Sequence, residues 1–164
     1  MLLWIGLGLI VAAIIPYIIF FIGISVGKRP GEPPALKEYP SISIIISAYN
    51  EEAVIQKRAD NILASSYPVD RYEVIFVDDC SSDNTRALSE EAFQRAGITH
   101  RIIANTERMG TNRSYNKAMQ VARFPIIVTT DADVFFEREA LARLISRLVS
   151  DDRIAAVCGD LTPP

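Results

Sequence analysis

The chain has 164 residues, of which 17 are basic and 20 are acidic, so its formal net charge at pH 7 is −3. This length accommodates about one domain of ordinary size, and the lack of a basic patch argues against a nucleic-acid partner. Cys80 and Cys158 form no Cys-x-x-Cys pair, and both would stay free in a reducing compartment.

The N-terminal segment is a predicted transmembrane helix. Residues 2–26 contain no charged side chain and consist mainly of Leu, Ile, Val, Phe and Ala, with an interruption at Pro16. A helix of about 20 such residues crosses the hydrocarbon core of a bilayer. A cleaved signal peptide would need a basic start, a shorter apolar stretch and a small-residue cleavage site, and this chain has no basic start. We therefore expect a membrane span at residues 1–27.

Basic side chains follow the predicted span. Lys28, Arg29 and Lys37 lie just after it, whereas its start carries none. The positive-inside rule then places the N-terminus outside and the rest of the chain in the cytoplasm. The composition of residues 28–40, rich in proline and glycine, predicts a juxtamembrane linker. Residues 41–164 are the predicted cytoplasmic domain.

Beyond the linker, strand and helix patterns alternate, which favours βαβ units and an α/β fold with a largely parallel sheet. The predicted strands are Ile42–Ser47, Tyr72–Val77, His100–Ala104, Ile126–Thr130 and Ile154–Cys158. The predicted helices are Glu51–Ser65, Asp83–Ala96, Asn112–Arg123 and Arg138–Leu148. Because the sequence stops just after a predicted strand, we interpret it as the N-terminal part of a longer protein.

Two pairs of carboxylates follow predicted strands. Asp78 and Asp79 repel each other at the end of one strand, so at least one should have a partner. The alternative is that Asp78 caps the following turn or helix. Asp131 and Asp133 lie just beyond another strand, where two carboxylates in a turn could share one cation and its bound phosphates. An Asp-x-Asp sequence also occurs in ordinary turns, so this pair alone is a weak signal.

An aromatic residue follows the first predicted strand. Tyr49 lies where the strand gives way to a helix, so its ring could stack on a base while the helix-start amides meet a phosphate. The alternative is that Tyr49 packs under the loop and that Glu51 serves the helix dipole. At the next helix, Ser82 or Asp83 is the predicted N-terminal cap.

The motifs resemble family 2 glycosyltransferases of the GT-A fold when taken together and in order. Strands followed by Ala-Tyr-Asn-Glu, by Asp-Asp-x-Ser-x-Asp-x-Thr and by Thr-Asp-Ala-Asp carry the resemblance, which covers about Tyr39 to Asp160. It implies a GT-A fold, with a mostly parallel sheet and flanking helices, of which this chain holds the donor-binding half. The leading span resembles that of membrane-embedded polysaccharide synthases.

The resemblance also implies roles for individual residues. Ala48, Tyr49 and Glu51 would line the nucleobase pocket, and Asp79 would hydrogen-bond the uracil ring. Asp131 and Asp133 match the family's Asp-x-Asp motif. Both residues belong to the expected metal site for Mn²⁺ or Mg²⁺, with Asp133 favoured as the direct ligand and Asp131 nearer the ribose or the sugar.

Two departures from the family pattern bear on activity. The family's usual lysine after the third strand is replaced by Thr111, so the diphosphate contact would either pass to Arg113, with Arg108 and Lys117 nearby, or be missing. The family's general base comes from the acceptor half, which would lie beyond Pro164. The catalytic residue is therefore not identified in this chain.

The sequence thus predicts a membrane-anchored glycosyltransferase. It would transfer a sugar from a nucleotide-diphosphate sugar, UDP-linked by resemblance, to a lipid-linked or polysaccharide acceptor with inversion. The alternative is a catalytically incomplete, membrane-anchored nucleotide-binding fragment. A response-regulator receiver would need an Asp after the third strand, where Ala104-Asn105-Thr106 stands. A Rossmann dehydrogenase would need Gly-x-Gly-x-x-Gly after the first strand.

Overall fold

The computed structural model describes residues 12–23 and 31–159. The chain separates into two compact units, residues 1–33 and residues 34–164. In the first unit, residues 12–23 form a helix, α1. The rest of the predicted span 1–27 lies outside the described residues, and none of the helices that are described has the length and apolar character needed to cross a membrane. The membrane span therefore stays a prediction.

The second unit is built on a four-stranded parallel sheet in the order β3-β2-β1-β4. Its strands are β1 (Ile42–Ala48), β2 (Tyr72–Asp78), β3 (His100–Ala104) and β4 (Ile126–Asp131). Its helices are α2 (Glu52–Leu63), α3 (Thr85–Arg95), α4 (Thr111–Met119) and α5 (Ala140–Val149), with a 3₁₀ turn at Val69–Arg71. Because all four strands run the same way, the sheet has one amino edge and one carboxyl edge.

The two central strands are buried on both faces. Every residue of β1 and of β2 is buried, which explains their nearly continuous β-branched and apolar sequences. Ile44 and Ile46 of β1 face the larger core cluster, to which α2, α3 and α5 contribute. Ile45 faces the smaller cluster on the other side, where Ala118 of α4 packs. Helices therefore cover both faces, as expected for a parallel sheet.

A buried polar network closes the amino edge. The Glu73 carboxylate accepts hydrogen bonds of 2.7 Å from the Ser43 hydroxyl and 2.7 Å from the Arg123 amide. The Ser43 hydroxyl in turn accepts a 3.2 Å bond from the Phe124 amide. The network joins β1, β2 and the segment that leads into β4.

The predicted order of strands and helices up to α5 is confirmed, with two corrections. Ile154–Cys158 is not a strand, because it pairs with none of the four strands and Ala155, Ala156 and Cys158 are exposed. A short apolar run favours a strand locally but needs a neighbour to satisfy its backbone. Helix α4 ends at Met119 instead of Arg123, in a tight turn.

Candidate functional site

The strand register brings the predicted site residues to the carboxyl edge. Ala48 of β1 lies opposite Asp78 of β2, and Asp78 lies opposite Ala104 of β3. Ser47 of β1 lies opposite Asp131 of β4. The loops after all four strands therefore start side by side, at the edge where ligands bind in open α/β sheets.

Hydrogen bonds fasten the loop after β1 to the loop after β2. The Asn50 amide donates to the Ser81 hydroxyl at 3.0 Å, and the Asn50 side-chain oxygen accepts from the Ser82 amide at 2.9 Å. The Glu51 amide donates to the Thr85 hydroxyl at 2.7 Å. Asn50 adopts a φ of 56°, a left-handed conformation that Asn tolerates better than most residues. These bonds fix the backbone on both sides of the site.

Helix α3 begins at Thr85 and its N-cap residue is Asn84, so neither of the predicted caps, Ser82 and Asp83, occupies that position. Asp83 nevertheless binds the first residue of the helix. Its carboxylate accepts a 3.0 Å bond from the Thr85 amide and a 2.5 Å bond from the Thr85 hydroxyl. Burial raises the pKa of Asp83, but the hydrogen bonds outweigh it and lower the pKa overall. Ser82 does not cap the helix, since its amide and hydroxyl both bond to Asn50.

Asp78 does not cap the following turn or helix, so this alternative is excluded. The residue is 5 % exposed, and its Oδ1 atom is buried without a hydrogen-bond partner among the described residues. Asp78 lines a cavity of about 620 Å³ beside α3 and β3. The other polar residues of its lining include Ser81, Asn84, Arg86 and Asn105.

The Asp79 carboxylate accepts hydrogen bonds from the loop after β3 and from α4. It accepts bonds of 2.8 Å each from the Asn105 side chain, the Met109 amide and the Gly110 amide, and a longer bond from the Ser114 hydroxyl. Burial raises the pKa of Asp79, but these bonds more than offset it and lower the pKa. The Oδ2 atom, which serves Gly110 alone, retains one lone pair. A nucleobase contact of Asp79 stays a prediction and would use that lone pair.

Tyr49 is half-buried, and one face of its ring is covered by a cation. The Arg108 guanidinium lies 3.9 Å from the ring centroid, a cation–π contact between the loops after β1 and β3. Tyr49 is therefore held at the carboxyl edge, where its other face or a displaced Arg108 would allow a base to stack.

The Asp131–Asp133 turn presents its two carboxylates to solvent. The intervening Ala132 is buried against the core, whereas Asp131 and Asp133 are exposed. The Tyr115 hydroxyl of α4 donates a 3.0 Å bond to Asp131 Oδ1. Burial, and then this hydrogen bond, raise the pKa of Tyr115. Tyr115 thus orients Asp131, while Asp133 accepts no hydrogen bond from the described residues.

Negative charge accumulates around Glu51. Burial raises the pKa of Glu51, and the neighbouring carboxylates Asp133, Asp83 and Asp131 raise it further. No group of three or more acidic, histidine or cysteine side chains is arranged to enclose a metal ion within the described ranges. Two exposed carboxylates nevertheless fit a divalent cation of the kind that also binds substrate phosphates, since Mg²⁺ commonly takes only one or two protein ligands.

Residues 43–161 match the family model described as glycosyl transferase family 2. The chain belongs to glycosyl transferase family 2. Two relatives in this family are the probable glycosyltransferase YdaM of Bacillus subtilis and the poly-beta-1,6-N-acetyl-D-glucosamine synthase of Staphylococcus aureus. YdaM is 32% identical over 76% of this chain and 30% of its own length. The synthase is 26% identical over 92% of this chain and 35% of its own length. The chain thus spans about a third of the curated relatives it matches.

Solved structures agree with the family assignment. A mannosyltransferase from Pyrobaculum calidifontis, PcManGT, in complex with GDP-Man and Mn²⁺, has a TM-score of 0.73 and 28% identity. The similarity covers 82% of this chain and 40% of that one. S. aureus TarS 1-349 in complex with UDP-GlcNAc has a TM-score of 0.57 and 25% identity, over 62% of this chain and 29% of that one. These similarities confirm the GT-A fold.

The basic residues expected near a family 2 diphosphate differ in their availability. Arg113 is exposed in the first turn of α4. Lys117 donates a 2.9 Å hydrogen bond to the Asn105 side chain, which itself binds Asp79. Arg113 is therefore free to turn toward a ligand, whereas Lys117 supports the loop that Asp79 anchors.

Sequence reasoning missed several residues of the site. Asn105 directly follows β3 at the carboxyl edge, so the rule that selected the acidic pairs could have found it. Arg58 lies on the apolar stripe of α2, between Ile55 and Ala59, and a charged residue at such a position was an available signal. Tyr115 carried no signal, because an aromatic residue on a helix face is normally core.

Proposed function

We propose that the chain is the donor-binding part of a membrane-anchored family 2 glycosyltransferase, with its catalytic domain in the cytoplasm. The enzyme would transfer a sugar from a nucleotide-diphosphate sugar to a lipid-linked or polysaccharide acceptor, with inversion at the anomeric carbon. The observation that carries the proposal is the turn that exposes Asp131 and Asp133 beside Glu51. It lies at the same edge as Tyr49.

The geometry supports a separate role for each of these residues at the carboxyl edge. Tyr49 offers an aromatic face for the nucleobase, and Arg108, which is stacked on that ring, would be a cation for a phosphate if a base displaced it. Tyr115 holds Asp131 in one orientation, suited to a hydroxyl of the ribose or the sugar. Asp133 has no internal partner among the described residues and is the better placed of the two to meet a cation. Mn²⁺ or Mg²⁺ bound there would supply Lewis-acid neutralisation of the diphosphate leaving group.

The relatives support a nucleotide sugar without deciding the base. GDP-Man is bound in the Pyrobaculum calidifontis structure and UDP-GlcNAc in one TarS structure. We favour UDP because the pattern after β2 matches the uracil-binding arrangement of the family. The general base is proposed to lie beyond Pro164, and the membrane anchor in the uncharged residues 2–26.

Calorimetric titration tests the donor site. UDP and GDP are titrated into the purified full chain in detergent, with Mn²⁺ and with EDTA, and wild type is compared with Asp133→Asn. We expect Mn²⁺-dependent binding of UDP, weakened about 100-fold by the substitution because a charged metal ligand is lost. The matched control is Asp70→Asn, an exposed Asp that precedes β2 at the amino edge, which should bind like wild type.

Three outcomes would contradict the proposal or part of it. No binding by a folded wild-type chain would reject a donor site in this chain. Binding unaffected by Asp133→Asn would remove Asp133 from the site. Preferential binding of GDP would retain the site but overturn the choice of UDP.

A further inference from the structure

Arg58 in α2 is a charged residue in an apolar position. Its side chain is fully buried, and its helix neighbours Ile55, Ala59 and Ile62 all belong to the larger core cluster. Burial lowers the pKa of Arg58 to about 10, so the guanidinium is still protonated at neutral pH. Burying a charge is unfavourable unless the surroundings compensate for it.

The guanidinium group contacts the end of β4 and the segment that follows it. Its Nη2 donates a 3.1 Å hydrogen bond to the Thr130 hydroxyl, and its Nη1 donates a 3.0 Å bond to the Asn61 side-chain oxygen. The guanidinium carbon lies 4.2 Å from the centroid of the Phe136 ring. Within the described residues Arg58 forms no ion pair, and its Nε has no hydrogen-bond partner.

Thr130 and Phe136 are the two ends of the segment that contains Asp131 and Asp133. Asn61 also binds the C-terminal end of this segment. Its side-chain oxygen accepts a 2.8 Å bond from the Phe136 amide, and its side-chain nitrogen donates a 2.9 Å bond to the Phe136 carbonyl. Helix α2 therefore binds both ends of this segment, through Arg58 at Thr130 and through Asn61 at Phe136. The carboxylates of Asp133 and Asp131 also favour the charged form of Arg58, so the attraction is mutual.

We propose that Arg58 is a positioning residue for the carboxylates of Asp131 and Asp133, which it holds together through Thr130 and Phe136. The proposal rests on the proposed function, because it assigns to the turn a role in holding a cation and a nucleotide diphosphate. The buried charge serves the site and contributes little to the stability of the fold.

The contacts distinguish positioning from a structural role. Without Arg58, the Asn61 oxygen would still have a donor in the Phe136 amide, but it would lose the Arg58 Nη1 bond that also holds it in place, so the Phe136 amide should open more often. The Thr130 hydroxyl would still donate to the Asp131 carbonyl at 3.3 Å. No partner would be stranded. Methionine has similar length and no charge, so Arg58→Met removes the cost of burying a charge while it keeps most of the packed side-chain volume.

Hydrogen exchange of the full chain in EDTA is the first arm of the test, with the Phe136 amide as reporter. In Arg58→Met we expect exchange about tenfold faster at this amide, unchanged exchange in β1 and a melting temperature within about 2 °C of wild type. Thr130→Val should give a smaller increase, and adding it to Arg58→Met should give no further increase. Arg95→Met, which removes an exposed arginine paired with Glu91, should change nothing.

Titration of UDP is the second arm. In the presence of Mn²⁺ we expect Arg58→Met to bind UDP about tenfold more weakly than wild type, and without metal to bind it equally. Unchanged Phe136 exchange, or faster exchange throughout the domain with a lower melting temperature, would overturn the proposal. Wild-type affinity in Arg58→Met would do so too. If wild type itself binds no UDP, the proposed function fails and the exchange arm still decides the role of Arg58.

Discussion

Glu73 at the amino edge of the sheet and Asp133 at the carboxyl edge are both carboxylates beside parallel strands, and they differ in burial and pairing. Glu73 is 4 % exposed and accepts from Ser43 and Arg123, whereas Asp133 is exposed and accepts from none of the described residues. The amino edge satisfies its charge internally and becomes part of the fold. The carboxyl edge leaves charge unsatisfied, and that charge is available to a ligand.

Asp79 shows that the carboxyl edge also contains a carboxylate whose hydrogen bonds are satisfied within the fold. It lies among the predicted ligand contacts, yet its carboxylate accepts three hydrogen bonds from the loop after β3 and one from Ser114 of α4. Its neighbour Asp78 is equally buried but has an unpartnered oxygen. Adjacent residues of the same type therefore serve different purposes, and substitutions can separate stability from binding.

The largest effect on stability is expected at the amino edge. Glu73→Ala should lower the free energy of unfolding by about 3 kcal/mol, because it leaves the buried Ser43 hydroxyl and the Arg123 amide without their charged acceptor. Chemical denaturation measures the change, with the exposed Glu91→Ala as the control. A loss no larger than that of the control would show that the buried network is dispensable.

The next effect concerns Asp79. Asp79→Asn should lower the free energy of unfolding by about 2 kcal/mol at pH 7, because an amide NH₂ would face backbone donors that now meet an oxygen. Asp78→Asn is the matched control, since it neutralises a buried carboxylate whose Oδ1 has no partner among the described residues, and it should be neutral or stabilising. Equal losses in the two variants would contradict the distinction between them.

The hydrogen bonds of Asp79 should also affect how the stability of the fold depends on pH. The pKa of Asp79 is lower in the folded chain than its ordinary value, so its ionised form stabilises the fold above the unfolded-state pKa of about 3.9. This contribution is lost as the pH falls through the folded-state pKa. Wild type should therefore lose stability more steeply than Asp79→Asn below about pH 4 in denaturation series. Parallel curves would show that other groups dominate acid unfolding.

The smallest effect is expected at Glu51. Glu51→Gln should raise the free energy of unfolding by about 0.5 kcal/mol at pH 7 in EDTA, because it relieves repulsion from Asp133, Asp83 and Asp131. The gain should disappear at pH 4, where Glu51 is largely protonated in wild type as well. Urea denaturation at the two pH values measures it, and a loss of stability at pH 7 would indicate that the Glu51 carboxylate is favourably paired.

The order of the strands and helices, and the edge of the sheet at which the candidate site lies, could be predicted from the sequence. Apolar β-branched runs identified β1 to β4, and parallel topology then put Tyr49, Asp79 and Asp133 in loops at one edge of the sheet. The strand predicted at Ile154–Cys158 was wrong, because a strand requires a neighbouring strand to pair with and a local sequence pattern does not show whether one is present.

The detailed contacts could not be predicted because they join distant parts of the chain. The Asp79 carboxylate meets the Met109 amide, 30 residues away, and Arg58 meets Thr130, 72 residues away. Backbone donors are present at every residue, so no composition or spacing identifies which of them will bind a given carboxylate.

The most direct test of the account is where Mn²⁺ binds. Paramagnetic broadening of backbone amide signals is measured on the isotope-labelled full chain with UDP and substoichiometric Mn²⁺. Strands of seven residues separate the two edges by about 20 Å, which is enough to distinguish them. The account predicts broadening at residues 130–134 and 48–52 with sharp signals at Ser43 and Glu73. Broadening centred on Ser43 and Glu73, or spread evenly along the strands, would contradict it.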